Sequence, residues 1–205
     1  METYMIILAG GSGTRFGGPV KKQFLEFHGK ELWRYMYDTA CSVLPKENIV
    51  VVGIDIPGGE TRSGSVKNGL DWIAAKENCK RVVICEAARA LVTKEQIQQI
   101  VNFDSPSCCF VNPVVDTVIL TDKTYLTRSE CRHLVSPQAF DFELLYKAYR
   151  ECDLGEMRTD ETRLMNDTYG IKPDFLEGGE NLYKVTYPKD IAIIEAIYNN
   201  LQNEK

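Results

Sequence analysis

The 205-residue chain has little of what several functions require. It has two histidines and seven cysteines, at 41, 79, 85, 108, 109, 131 and 152, with no C-x-x-C pair among them. Neither spacing builds a zinc site, and an odd, scattered set of cysteines suits reduced thiols in a cytoplasm better than a disulfide framework. There is no basic excess: 29 acidic residues stand against 24 basic ones, a formal charge of -5. Phosphate-backbone binding usually shows the opposite balance, so nucleic acid is not an expected partner. The opening apolar run, Met5 to Ala9, meets Gly10-Gly11 after five residues. That is too short for a signal core or a membrane span, so no membrane partner is expected.

What is there is an ordinary globular composition, 44% hydrophobic and 26% charged, long enough for one full core and a small appendage. No repeat, low-complexity segment or linker interrupts it, so residues 1-205 read as a single domain. Strand-like runs at Tyr4 to Leu8, Ile49 to Ile54, Arg81 to Cys85 and Cys108 to Val111 alternate with helical patterns. The helices are expected over Glu31 to Val43, Ser65 to Lys76, Thr93 to Val101, Phe140 to Arg150 and Pro188 to Gln202. This β-α-β order predicts an α/β fold with a mostly parallel, Rossmann-like sheet and helices on both faces. Ligands of such sheets sit beyond the carboxyl ends of the strands. The segments to watch are therefore 10–22, 57–65, 86–89 and 112–117.

The first of these, Gly10-Gly11-Ser12-Gly13-Thr14-Arg15-Phe16-Gly17-Gly18 with Lys21, Lys22 and Gln23 behind it, can bring backbone N–H groups and cations up to a phosphate chain. It fails the dinucleotide pattern at Phe16, and no G-x-x-x-x-G-K-[ST] is present because Pro19 follows Gly18. Glycines alone also fit a plain turn with a solvated basic end. Trp33, Tyr35 and Tyr37 read as helix packing, and Cys108-Cys109 as buried strand.

Leu8-Ala9-Gly10-Gly11-Ser12-Gly13-Thr14-Arg15-Phe16, then Pro19 and Lys22-Gln23-Phe24-Leu25, resembles the nucleotide-binding signature of CTP-dependent cytidylyltransferases acting on 2-C-methyl-D-erythritol 4-phosphate or ribitol 5-phosphate. Gly58-Gly59-Glu60-Thr61-Arg62-Ser63-Gly64-Ser65-Val66, Pro113 to Thr117, Thr127-Arg128, Ser136-Pro137-Gln138, Thr159-Asp160 and Lys184-Val185-Thr186 with Asp190 follow in that family's order. The resemblance implies transfer of CMP from CTP to a small phosphorylated polyol with release of pyrophosphate. It implies Arg15, Lys22, Arg128 and Lys184 as catalytic cations, and Leu8, Ala9, Gly10, Gly11, Gly13, Thr14, Gly59, Glu60, Ser65, Ala87 and Arg89 as nucleotide contacts. Thr117, Arg128, Ser136 and Thr159 would meet the acceptor, with Arg128 reaching over from a second subunit on an arm around 113-136. A homodimer with composite active sites is thus implied.

Magnesium, or manganese, would be the cofactor, with Glu86 and Glu180 as its candidate ligands. Here the sequence departs from the family: Cys85-Glu86-Ala87-Ala88-Arg89-Ala90 stands where the family has His-Asp, two small residues and Arg-Pro. Glu86 keeps the charge but moves the carboxylate by about 1.5 Å. It also reads, more plainly, as a strand-end carboxylate paired with Arg89. Two alternatives stay open: a nucleotidyltransferase for another phosphorylated precursor of a surface polysaccharide, and a CTP-binding protein without catalysis.

Overall fold

The computed structural model describes residues 2–11, 16, 21–76, 78–151 and 160–203. In chain order the elements are β1 (Glu2–Leu8), a small hairpin β2 (Glu26–Phe27) and β3 (Lys30–Glu31), α1 (Leu32–Cys41), β4 (Ile49–Val52), α2 (Arg62–Ala74), β5 (Cys79–Glu86), α3 (Lys94–Asn102) and β6 (Ser107–Pro113). There follow β7 (Arg132–Asp141), α4 (Phe142–Glu151), α5 (Glu161–Tyr169), β8 (Asp174–Glu177) and α6 (Asp190–Asn203). The main sheet has the order β4-β1-β5-β7-β6-β8. Neighbours pair in parallel except where β7 lies antiparallel between β5 and β6. The expected α/β class and mostly parallel sheet are what the chain forms.

Alternation along the strands divides the core. Met5, Ile7, Val51 and Val83 face Trp33, Met36 and Ala40 of α1 and Ile97 and Ile100 of α3. Tyr4, Ile6, Val50 and Val82 point the other way, onto Val66, Leu70 and Ile73 of α2, Leu145 of α4 and Leu164 of α5. Each of these aliphatic side chains contributes about 1.5–3 kcal/mol on full burial. Gly69 lets α2 settle on β1, since a Cβ there would stand 2.8 Å from Ile6 Cδ1. A third cluster joins Phe27 and Leu32 to Ala90, Leu91, Val185 and Ile194, with Phe16 against it, and ties α6 to the hairpin.

The structure corrects the sequence reading in two places. Phe140 does not begin a helix: it pairs with Val82 and Ser107 in β7, and α4 starts at Phe142. Residues 132–136 belong to β7, so the projecting segment between β6 and β7 is 114–131. It is held by local bonds such as Leu126 N–H to the Val118 carbonyl at 3.0 Å, and it exposes Val115 and Tyr125. Among the described residues no helix is long and apolar enough to cross a membrane.

Candidate active site

At the carboxyl ends of β1, β4 and β5 the chain leaves a cleft of about 360 Å³. Its floor is backbone at Gly10 and Gly11. Gly53 and Gly58 press against Gly10 from outside the cleft so closely that a Cβ on Gly10 would lie 3.2 Å from Gly58 Cα, and one on Gly53 only 2.5 Å from Gly10 Cα. Gly53 also holds φ at 100°, in the region that favours glycine. The Gln23 carboxamide, buried beneath, donates to the Ala9 carbonyl at 2.6 Å and the Gly11 carbonyl at 3.3 Å. Because a peptide's C=O and N–H point in opposite directions, the bond to Ala9 turns the Gly10 N–H away from Gln23. The Gly10 and Gly11 N–H groups donate to no backbone carbonyl among the described residues.

The second wall is the start of α2. Thr61 caps the helix by accepting from Gly64 N–H at 3.0 Å. Gly59 N–H donates to Ser65 Oγ at 3.0 Å, and that hydroxyl donates to the Thr61 carbonyl. Gly59 sits tight against this turn, as a Cβ there would meet Gly64 C at 2.4 Å.

The third wall carries the charge. Glu86, the last residue of β5, accepts from Lys184 Nζ at 2.7 Å, with Arg62 Nε at 3.7 Å and Arg89 Nε at 3.6 Å. Burial pushes its pKa up, but Lys184, Arg89 and Arg62 together hold it below the ordinary glutamate range. Lys184 is placed by a loop that Asp190 ties down: its carboxylate accepts from Thr186 and Tyr187 N–H groups at 2.7 and 2.8 Å. Burial raises the Asp190 pKa, and those two N–H donors and the Tyr183 hydroxyl bring it below its usual value. Lys22 Nζ donates to the Val185 carbonyl at 3.0 Å, so both lysines sit on one rim.

The cleft thus gathers Leu8, Ala9, Gly10, Gly11, Lys22, Gly59, Glu60, Ser65, Glu86, Ala87 and Lys184 from the sequence-based set. Arg15, Gly13, Thr14 and Thr159 lie outside the described residues. Arg89 and Ser136 do not line it: both are buried behind Glu86, where Arg89 Nε donates to Ser136 Oγ at 3.0 Å and its Nη1 donates to the Leu182 carbonyl. Glu180 lines a separate depression with Asn112, Tyr183 and Ile193. Arg128 and Thr117 are on the projecting segment, where Arg128 Nη1 donates to the Val115 carbonyl at 2.9 Å. The sequence reading assigned no role to Gln23, Arg62 or Glu161. Gln23 and Arg62 lie inside the motif segments quoted above, Lys22 to Leu25 and Gly58 to Val66, and that membership was the available signal. Glu161 gave none.

No group of three His, Cys, Asp or Glu among the described residues could hold a metal by itself. Magnesium asks less of a protein, one or two carboxylates with phosphate oxygens and water completing the octahedron. Glu86 offers one such carboxylate at the cleft base: Lys184 bonds its Oε1, and Oε2 is the oxygen that would meet the ion while that pair is kept.

The family model described as IspD: 2-C-methyl-D-erythritol 4-phosphate cytidylyltransferase matches residues 38–200. The bifunctional enzyme IspD/IspF of Campylobacter jejuni is 32% identical over 208 residues, covering 95% of this chain and 54% of its own length. The 2-C-methyl-D-erythritol 4-phosphate cytidylyltransferase of Caldicellulosiruptor bescii is 30% identical over 223 residues, covering 96% of this chain and 97% of its own. The solved structure of the bifunctional IspDF from C. jejuni superposes with a TM-score of 0.78 at 30% identity, over 94% of this chain and 54% of that one. The chain spans about half the length of these Campylobacter proteins.

Proposed function

This chain belongs to the IspD family of 2-C-methyl-D-erythritol 4-phosphate cytidylyltransferases, and from that premise we propose that its cleft transfers the cytidylyl group of CTP to 2-C-methyl-D-erythritol 4-phosphate. One observation carries the reading: a glycine-floored pocket at the strand ends collects Lys22, Lys184 and Glu86 in one volume of about 360 Å³. The full-length C. bescii relative bears the name of this reaction, which favours the methylerythritol acceptor over ribitol 5-phosphate.

In the reaction an oxygen of the acceptor phosphate forms a bond to the α-phosphorus of CTP. The bond from that phosphorus to the α–β bridging oxygen breaks, and its electron pair leaves on pyrophosphate. The nucleophile is already an anion, so the site needs no general base; it needs two polyanions held together and the added charge stabilised. Lys22 and Lys184 supply cations on the phosphate rim, and Arg15 is proposed as a third cation for the same phosphates. Gly10, Gly11, Gly59, Glu60 and Ser65 receive the nucleoside end, and Ala87 closes the wall. Arg89 and Ser136 serve from behind by keeping Glu86 in place. Glu86 would hold a magnesium ion together with phosphate oxygens, and a bound ion neutralises phosphate charge there.

The acceptor side is completed, in this proposal, by a second copy whose projecting segment brings Arg128 and Thr117, making the enzyme a homodimer; Thr159 is proposed as a further acceptor contact. The unpaired thiols fit a reducing compartment such as the cytoplasm. The test is pyrophosphate release with CTP, UTP, ATP or GTP, with and without Mg²⁺, against 2-C-methyl-D-erythritol 4-phosphate and ribitol 5-phosphate. Release is expected with CTP, Mg²⁺ and the methylerythritol acceptor. Preference for another nucleotide or for ribitol 5-phosphate would overturn the assignment.

A further inference from the structure

Behind the cleft lies a buried carboxylate that the proposed reaction does not use. Glu161 is 1% exposed. It accepts two bonds from one guanidinium, Arg62 Nη1 at 2.6 Å and Nη2 at 2.8 Å, and a third from the Tyr149 hydroxyl at 2.8 Å. Burial lowers the Arg62 pKa, and the Glu161 charge more than reverses this, so the guanidinium stays charged.

Stability does not account for this arrangement. A buried ion pair gains little over well-packed apolar residues, because desolvation consumes its attraction. Arg62 is also the first residue of α2, where the helix dipole disfavours a cation. Geometry gives another reason. Arg62 reaches Glu86 only through Nε, 3.7 Å from Oε1, while both terminal nitrogens are turned to Glu161. The same Glu86 oxygen accepts from Lys184 at 2.7 Å. A guanidinium released from Glu161 would find Glu86 as the nearest carboxylate and could bind it with two parallel N–H bonds, which an ammonium cannot match.

We propose that Glu161 is a positioning residue: it holds the Arg62 guanidinium off Glu86, so that Glu86 keeps Lys184 as its partner. The kinetic consequence rests on the reading of the cleft as a cytidylyl-transfer site; the geometric one does not. Glu161→Gln keeps the side-chain shape but removes the charge, so Arg62 turns to Glu86 and Lys184 loses its place. Arg62→Gln with Glu161→Gln removes the misdirected cation as well and leaves a neutral pair, shorter on the Arg62 side, whose folding is compared with that of the single variant by thermal melting.

Crystal structures of the wild type and both variants decide the geometry. The expected result is two Arg62 nitrogens on Glu86 in Glu161→Gln, with Lys184 displaced, and the Lys184–Glu86 pair restored in the double variant. Pyrophosphate release decides the kinetics: the kcat of Glu161→Gln, normalised to folded protein, should fall at least tenfold, and the double variant should recover at least fivefold of that. An Arg62 that keeps its place beside the carboxamide in Glu161→Gln, a single variant with wild-type kcat, or a double variant no better than the single would each overturn the proposal. A wild type that releases no pyrophosphate with any acceptor would defeat the functional reading alone, since the crystal structures would still answer for Glu161.

Discussion

Gly53 offers a direct way to disturb the cleft floor without touching a charged group. It combines φ of 100° with backbone neighbours that leave no room for a methyl: Gly10 Cα, Gly10 N and Ala9 C would lie 2.5, 2.6 and 2.8 Å from a Cβ. In Gly53→Ala the backbone strain costs about 1–3 kcal/mol. Overpacking against atoms that cannot rotate away costs about 1–3 kcal/mol more. The loss of chain freedom in the unfolded state returns about 0.4–1 kcal/mol. The net, about 1–6 kcal/mol, is a sizeable part of a total stability of about 5–15 kcal/mol. For a chain of this size it lowers Tm by about 2–24 °C.

Because the displaced atoms belong to the Ala9–Gly10 peptide, CTP affinity should fall as well, by about tenfold, as the oriented N–H moves. Thermal melting followed by circular dichroism measures the first effect and calorimetric titration with CTP the second. Gly29→Ala is the control, since Gly29 has φ of 72° but nothing within 4 Å of its Cβ position; it carries strain without collision. If Gly53→Ala melts no lower than Gly29→Ala and binds CTP like the wild type, the packing argument for the cleft floor is wrong.

Lys22→Ala should reduce turnover by about 10²–10³-fold, the usual loss on removing one group that stabilises transition-state charge, while Tm moves by about 3 °C or less; steady-state kinetics beside a melt separates the two. Acid stability follows from Glu86 and Asp190, whose pKa values lie below normal in the folded chain. Their contribution is fully present above the unfolded values near about 4 and is lost as pH falls through the lower folded values. Urea midpoints should therefore lose this contribution only below about pH 4, and a decline beginning near pH 6 would mean that other groups govern acid unfolding. Burial pushes the thiols of Cys79 and Cys109 up to about 12 and raises those of Cys85 and Cys108 too. Iodoacetamide at pH 8 should thus modify the partly exposed Cys41 and Cys131 in native protein well before those four, as peptide mass spectrometry would read out.

The parallel half of the sheet was legible because β1, β4 and β5 are short apolar runs ended by glycine or charge. β7 was not. It carries Pro137 at the centre of a sheet, where proline removes a ladder donor. The chain accommodates it by a register break, with Cys109 opposite Gln138 and Phe110 opposite Val135, so that Ser136 and Pro137 drop out of the pairing with β6. α5 and β8 escaped notice because they are short and mostly polar; β8 buries Leu176 alone of its four residues. In the site, residues adjacent in sequence to glycine turns were readable. Arg89 and Ser136 were not separable from true cleft residues, because a motif gives order along the chain and not which side of a wall a side chain takes. Glu161 lies 99 positions from Arg62, and nothing local in the sequence marks that pairing.

In the proposed reaction this cleft moves the α-phosphoryl group of CTP, with its nucleoside, onto a phosphorylated polyol. The most direct measurement is to incubate the protein with CTP labelled at the α-phosphorus, Mg²⁺ and 2-C-methyl-D-erythritol 4-phosphate, and to separate the products. Label is expected in a cytidine diphosphate ester of the polyol, with unlabelled pyrophosphate formed in equal amount. Label that remains in CTP, or that appears as CMP whether or not the acceptor is present, would contradict that transfer.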